Sequence, residues 1–357
     1  MYCNLSILQR RSMYSSMALE SGLLPLEVET SSQFFCDLEQ KHYFEILEKD
    51  IGQITWKTIE PVQQKGTNLD WLDEILFNGN PHLSDQAVSI HPGDIIELVG
   101  PSGSGKSSIM YELIVNTLLP AYWSPESQQE DALSSNRNIA LGGNGKDVIF
   151  FDCDMRIHIG RINDILVQSI SQKLSTCNFS LPEFDSRIRQ LAKACLRKLF
   201  IFRPSSPSQL LNTIAGLPIM NDSDIGLILI DSLTQFYWAA KCGIIHLAKN
   251  QYYTFQQDLA HVLKKLLVSQ KTFAIVSSWP PFPKKNPSKP ITDDFLIEQS
   301  EVRDSLNSIA WIHAVNYRLV IKQLTNSSVE ITRPYPLSQS GTSHCFFRLD
   351  YYGLTKL

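Results

Sequence analysis

Residues 95–107 read Ile95-Ile96-Glu97-Leu98-Val99-Gly100-Pro101-Ser102-Gly103-Ser104-Gly105-Lys106-Ser107. An apolar run suited to a strand leads into a complete G-x-x-x-x-G-K-[ST] loop, and a helix-compatible run, 108–119, follows it. The pattern has a physical reason. Glycines let successive backbone N–H groups turn inward on phosphates, and the start of the helix adds a favourable dipole. Lys106 is placed to reach the β- and γ-phosphates, and the Ser107 hydroxyl to help hold Mg²⁺. A chance Gly/Ser turn before a lysine would not need a strand before it and a helix after it. The phosphate site is therefore expected to comprise Gly100, Pro101, Ser102, Gly103, Ser104, Gly105, Lys106, Ser107 and Ser108.

Working outward, apolar runs of four residues recur at 148–151, 199–202, 227–230 and 273–276. Runs this short and continuous suit strands buried on both faces of a parallel sheet. Helical patterns lie between them. Ile159, Ile162, Leu166 and Ile170 mark one apolar face; Phe255, Leu259, Leu263 and Leu266 mark another, with Lys264 and Lys265 expected to face outward. This alternation predicts an α/β fold with a mostly parallel central sheet and helices on both faces. After residue 308, alternating runs at 317–321, 329–332 and 345–349 predict antiparallel strands at the end of the sheet. Residues 120–146 read as a mobile surface loop, and 279–300, with five prolines, cannot continue a helix.

Upstream, 68–77 reads as a short amphipathic helix stopped by Asn78-Gly79-Asn80-Pro81. Residues 1–65 show no strong periodicity and are expected to be a partly disordered N-terminal extension, with 66–357 forming the ATP-binding domain. The first 19 residues carry Arg10 and Arg11 and no acid, yet lack the sustained amphipathic arginine pattern of a transit peptide, so they read as a polar terminus.

The 357 residues are 43% hydrophobic and 19% charged, a globular composition. A net charge of −4 excludes a global basic field, so contact with DNA would be local or made through a partner. Seven scattered cysteines with no C-x-x-C pair argue against a disulfide framework or zinc site and for a reducing compartment. No apolar run approaches the length of a membrane span.

A site that handles a magnesium nucleotide needs a second acidic element. Leu227-Ile228-Leu229-Ile230-Asp231 supplies it, because ligands of open α/β sheets collect at the carboxyl ends of strands. Phe151-Asp152-Cys153-Asp154 places two more carboxylates at another strand end. Two readings stand side by side there: a carboxylate that orients attacking water, with Asp154 the candidate, or a cap for the segment near Arg156.

These elements together resemble the RecA-like recombinases of homologous recombination, and within them the short eukaryotic paralogues. The closer match is carried by Leu118-Leu119-Pro120, Asp152-Cys153-Asp154 and Asp231-Ser232-Leu233-Thr234-Gln235-Phe236-Tyr237-Trp238. The resemblance covers residue 66 to the end. It implies a RecA-like core, ATP and Mg²⁺ as cofactors with Ser107 and Asp231 as the metal pair, other recombinase paralogues as partners in a heteromeric complex, DNA reached through that complex, and the nucleus as the place of work.

The departures carry as much weight. Where active members place a water-positioning glutamate, this chain has Asp154, one methylene shorter, and a misplacement on the scale of an ångström costs about 10²-fold in rate. Trp279 stands where the family has a glutamine that senses the γ-phosphate, and an indole donates one hydrogen bond but accepts none. Weak or absent turnover follows, at most a weak DNA-dependent ATPase. The resemblance turns two loops toward DNA, which makes Lys241, Lys284, Lys285 and Lys289 candidate contacts, interleaved with Tyr237, Trp238, Trp279 and Phe282. A solvated, proline-stiffened loop is the competing reading. No Phe-x-x-Ala occurs before Gly93, which favours a subunit of a small complex over a filament former. The extension and the apolar face of the 68–77 helix are candidate partner surfaces. The alternatives are an active DNA-dependent ATPase, a RecA-like subunit of a non-repair complex, and a small-molecule kinase, the last disfavoured because 279–300 contains no arginine.

Overall fold

The apolar runs become the strands of one nine-stranded sheet. A computed structural model describes residues 66–67, 69–77, 90–124, 139–177, 181–217, 224–246, 248–279, 307–325, 328–335 and 344–357. The expected extension, 1–65, lies outside the described residues, as do Lys284, Lys285 and Lys289.

Strand β1 (Ile95–Val99) is buried along its whole length and pairs in parallel with β7 (Ala274–Ser278) on one side and β8 (Tyr317–Thr325) on the other. Beyond β7 come β6 (Ile225–Asp231), β4 (Asp147–Asp152) and β5 (Leu199–Phe202), all parallel. On the far side β9 (Ser328–Tyr335), β10 (His344–Leu349) and β11 (Leu354–Lys356) continue antiparallel, giving the order β11-β10-β9-β8-β1-β7-β6-β4-β5. The expected architecture holds: parallel in the middle, antiparallel at the C-terminal end. Strand β11 carries too few residues to announce itself in the sequence.

The helix after the loop, α2 (Lys106–Leu118), buries ten of its thirteen residues, because sheet and helices enclose it. Helices α3 (Ile159–Thr176) and α4 (Leu181–Leu196) pack nearby, and Ile162, Ile165, Leu166, Ile170, Ile188 and Ala192 join Ile96, Leu98, Val148, Phe150, Leu227 and Leu229 in one core. Helix α7 (Lys249–Ser269) keeps Leu259, Leu263 and Leu267 fully buried.

Three expectations are corrected. The upstream helix, α1 (Asp70–Phe77), buries Leu72, Ile75 and Leu76 in the main core, with Trp71 against Phe347 at a centroid separation of 4.7 Å. Its apolar face is thus spent within the domain and is no partner surface. Lys264 is half-buried and its ammonium donates to Asn316 Oδ1 at 2.9 Å, so only Lys265 faces outward as expected. The expected loop 120–146 has ordered ends: β2 (Tyr122–Trp123) pairs with β3 (Ile139–Ala140), and Gly145 N–H donates to Leu119 O at 2.7 Å. Its middle, 125–138, lies outside the described residues. Among the described residues no helix is long and apolar enough to cross a membrane.

Candidate functional site

The loop between β1 and α2 turns because Gly103 and Gly105 take φ of +80° and +96°, which side-chain-bearing residues rarely adopt. Helix α2 starts directly at Lys106, so its first amides open onto a cavity of about 550 Å³. The loop residues 102–108 line it together with Asp154, Arg156, Arg161, Asp231, Trp279, Leu349, Asp350 and Tyr351. Lys106 is 6% exposed, and its ammonium donates to the carbonyls of Gly100 and Pro101, each at 2.7 Å. Burial lowers its pKa to about 8, against the opposing pull of Asp231 and Asp154. Ser104 Oγ is buried with no hydrogen-bond partner among the described residues. A buried cation turned back on its own loop, a helix start at the cavity and an orphaned hydroxyl form a cradle that suits a string of phosphates.

Asp231 closes the cradle from across the sheet. Ser107 Oγ donates to its Oδ2 at 2.9 Å, although β7 lies between β1 and β6. Ser277 on β7 bridges the gap, its hydroxyl donating to Asp231 Oδ1. A hydroxyl and a carboxylate are the hard oxygen donors that Mg²⁺ takes alongside phosphate and water. Among the described residues no three His, Cys, Asp or Glu side chains gather into a separate metal cluster. The residues present fit magnesium.

The two carboxylates of 152–154 stand in different surroundings. Asp152 is buried and accepts from Arg156 N–H at 2.8 Å, Ile157 N–H at 3.3 Å and Arg203 Nε at 3.1 Å, so it holds the turn into α3. Asp154 lines the cavity instead, accepting from Ser232 Oγ at 3.4 Å. Burial, and next the neighbouring Asp231, push its carboxyl up to about 6. Trp279 also lines the cavity, its backbone N–H fixed by Thr234 Oγ1 at 3.0 Å.

Of the proposed DNA contacts, Lys241 ends a short helix, α6 (Gln235–Lys241), and its side chain lies outside the described residues. The expected first loop is therefore helical here. Tyr237, half-buried, packs on Tyr252 at 5.6 Å between centroids.

One wall escaped sequence reading altogether. Arg161, on the first turn of α3, donates from Nε to Tyr351 O at 2.8 Å and from Nη2 to Ser108 Oγ at 3.0 Å. Its guanidinium lies 5.4 Å from the Tyr111 ring centroid and 5.3 Å from that of Tyr351. Tyr351 in turn donates to Asp164 Oδ2 at 2.9 Å. These residues come from opposite ends of the domain, and no local pattern links them; only the unexplained arginine in an otherwise apolar helix turn was a signal.

Behind this wall, Glu112 accepts a hydrogen bond from Leu354 N–H. Burial pushes its carboxyl up to about 7, against the opposing pull of the Leu354 hydrogen bond. A folded pKa above the unfolded 4.5 means that the native state holds the proton longer, so stability falls as pH rises from 4.5 through 7. Glu112→Gln, neutral throughout, is expected to stabilise the protein at pH 8 by about 2–3 kcal/mol and to be neutral at pH 4.5. Urea melts at the two pH values check this; a variant equally stabilised at both would refute it.

With the geometry described, comparison with known proteins gives two relatives of note. Over 157 residues the chain is 29% identical to the DNA repair protein XRCC2 of Mus musculus, covering 43% of this chain and 45% of that protein. Over 214 residues it is 22% identical to the DNA repair protein XRCC2 homolog of Arabidopsis thaliana, covering 54% of each. The chain spans about half the length of the relatives it matches. No protein-family profile matches it. The chain is thus similar, over about half its length, to DNA repair proteins named XRCC2.

Proposed function

We propose that this chain is an ATP-binding recombinase paralogue that acts as a mediator in homologous recombination and DNA double-strand-break repair, inside a heteromeric complex of paralogues in the nucleus, with weak or no hydrolysis. The two XRCC2 relatives, both described as DNA repair proteins, support the repair role.

The cradle supports the nucleotide. Amides of 102–107 and the Lys106 ammonium would bind the phosphates, while Ser107 and Asp231 would hold Mg²⁺. The ion, when bound, would supply positive charge against the charge of the phosphates. Arg161 and Tyr351 offer a guanidinium plane and a phenol ring to the base.

One observation carries the reading of weak turnover. Asp154 and Trp279 line the same cavity as an intact phosphate loop, so the binding groups are complete while the two positions that would orient water and sense its product are altered. Asp154 can still draw a proton toward its carboxylate, yet its reach is one methylene short of a glutamate.

The test is single-turnover ATP hydrolysis by the full chain with and without single-stranded DNA, on protein purified together with its partners. The expected result is a rate far below that of an active recombinase, with recombinase paralogues in the purified complex. Asp154→Glu is expected to raise the rate, by up to about 10²-fold if carboxylate placement is limiting. A wild-type rate matching an active recombinase and lost in Lys106→Ala would instead make this an active DNA-dependent ATPase. Recovery with subunits of a non-repair complex would reassign the partner.

A further inference from the structure

A single turn, 350–353, separates two cavities. On one side Asp350 and Tyr351 line the 550 Å³ cavity of the phosphate loop. On the other, Asp350, Tyr352, Gly353 and Leu354 line a second cavity of about 270 Å³ shared with Glu112 and Gln168. The turn is closed internally: Asp350 Oδ1 accepts from Tyr352 N–H at 2.8 Å and Gly353 N–H at 2.9 Å, and Asp350 N–H donates to Gly353 O at 3.0 Å. The turn joins β10 to β11, which pair through Leu349 and Leu354, and the side chains that fasten it to the helices settle its stand beyond that pairing.

On the cavity side it is fastened to α3 by Arg161 and Asp164. On the other side the fastener is Glu112 of α2, which accepts from Leu354 N–H. The approach is close: a Cβ at Gly353 would run into the Glu112 carboxyl, so only glycine lets the turn come this near. Ser108 and Glu112 are four residues apart on one face of α2. That face therefore holds the Arg161 guanidinium at one point and the turn beneath Tyr351 at the next.

We propose that Glu112 is a positioning residue for nucleotide binding: through Leu354 it sets the stand of the 350–353 turn, and with it the Arg161–Tyr351 wall that meets the base, without touching the nucleotide. The inference rests on the ATP-binding reading above. It makes a divided prediction, because the groups that would hold phosphate, Lys106 and Ser107, stand at the first turn of α2 and make no hydrogen bond to the turn among the described residues.

The experiment is calorimetric titration of the full chain, in Mg²⁺, with ATP and with inorganic tripolyphosphate, which has the charges and no base. Glu112→Ala is expected to weaken ATP about tenfold and tripolyphosphate less than about twofold, on the scale of one stacked or cation–π contact. Glu112→Gln, whose amide oxygen still accepts from Leu354, should recover most of the ATP affinity. Asp350→Ala, which opens the turn from its solvent side, should show the same split and serves if Glu112→Ala does not fold. In a Tyr351→Ala background Glu112→Ala should add little, since both act on one wall. Equal weakening of both ligands, no weakening of either, or a wild type that binds them equally would overturn the proposal while leaving phosphate binding intact. A wild type that binds neither would remove the ATP-binding reading, and this proposal with it.

Discussion

Lys106→Ala is expected to lower the affinity for ATP by at least two orders of magnitude while leaving the empty protein as stable as before. The first half follows from charge-assisted hydrogen bonds to phosphate, worth about 1.5–3 kcal/mol each, so that losing two costs at least about 3 kcal/mol, a factor of about 100 or more. The second half follows from the geometry. In the empty protein the ammonium is buried and serves only Gly100 O and Pro101 O, and burial has already drawn its pKa down to about 8 from 10.5. A folded pKa below the unfolded one means that the native state disfavours the charge below pH 10.5. Alanine removes that burden, so the variant should melt no lower than wild type. ATP should raise the melting temperature of wild type and not of the variant. A variant that retains ATP within about threefold would mean that the loop does not hold phosphates.

Ile228→Asp should be the most damaging single change in the domain, while Asp231→Ala, three residues on, should do little. Ile228 is fully buried in β6, paired with Ile149 on one side and Ala274 on the other. A carboxylate there has no partner within a parallel sheet covered on both faces, and a buried unpaired charge costs more than about 4 kcal/mol. Asp231 stands at the open end of the same strand. Its side-chain hydrogen-bond partners among the described residues are the hydroxyls of Ser107, half-buried and free to turn to the cavity, and of Ser277, which is buried; its loss relieves the neighbouring Asp154, whose carboxyl it helps to push up. The net change should stay within about 1 kcal/mol. Chemical denaturation of both variants decides it: two midpoints equal to wild type would mean that β6 is not a central buried strand.

The strands were legible because each is a short apolar run that no amphipathic element would carry, and the parallel centre followed from their alternation with helical patterns. Asp231 was legible as the acid ending such a run. The helix 68–77 was read correctly as a helix, yet its apolar face pointed equally well to a partner or to its own domain; Leu72 and Ile75 show that the domain takes it. The same ambiguity affected 152–154. Two aspartates on one strand end look alike in sequence, and only the position of Arg203 and the amides of Arg156 and Ile157 makes one of them a structural anchor and leaves the other facing the cavity. Lys264 was misread because periodicity gives the face of a helix and says nothing of a polar partner such as Asn316 waiting on that face.

What the chain alone determined is local: glycines that permit the left-handed turns of the phosphate loop, a lysine and a serine at the first helical positions, and strand-length runs of apolar residues. These are decided by backbone sterics and solvent transfer within a few residues, so they can be read in order along the sequence. What only the tertiary structure decided is the company those residues keep. Strand order places β7 between β1 and β6 and so brings Ser277 to Asp231; the closing of β10 and β11 beside α2 and α3 brings Tyr351 to Arg161 and Leu354 to Glu112, across 190 and 242 positions of chain. Such pairs carry no periodicity and no fixed spacing. They exist because the whole sheet must bury both faces at once, and that condition fixes where distant segments meet.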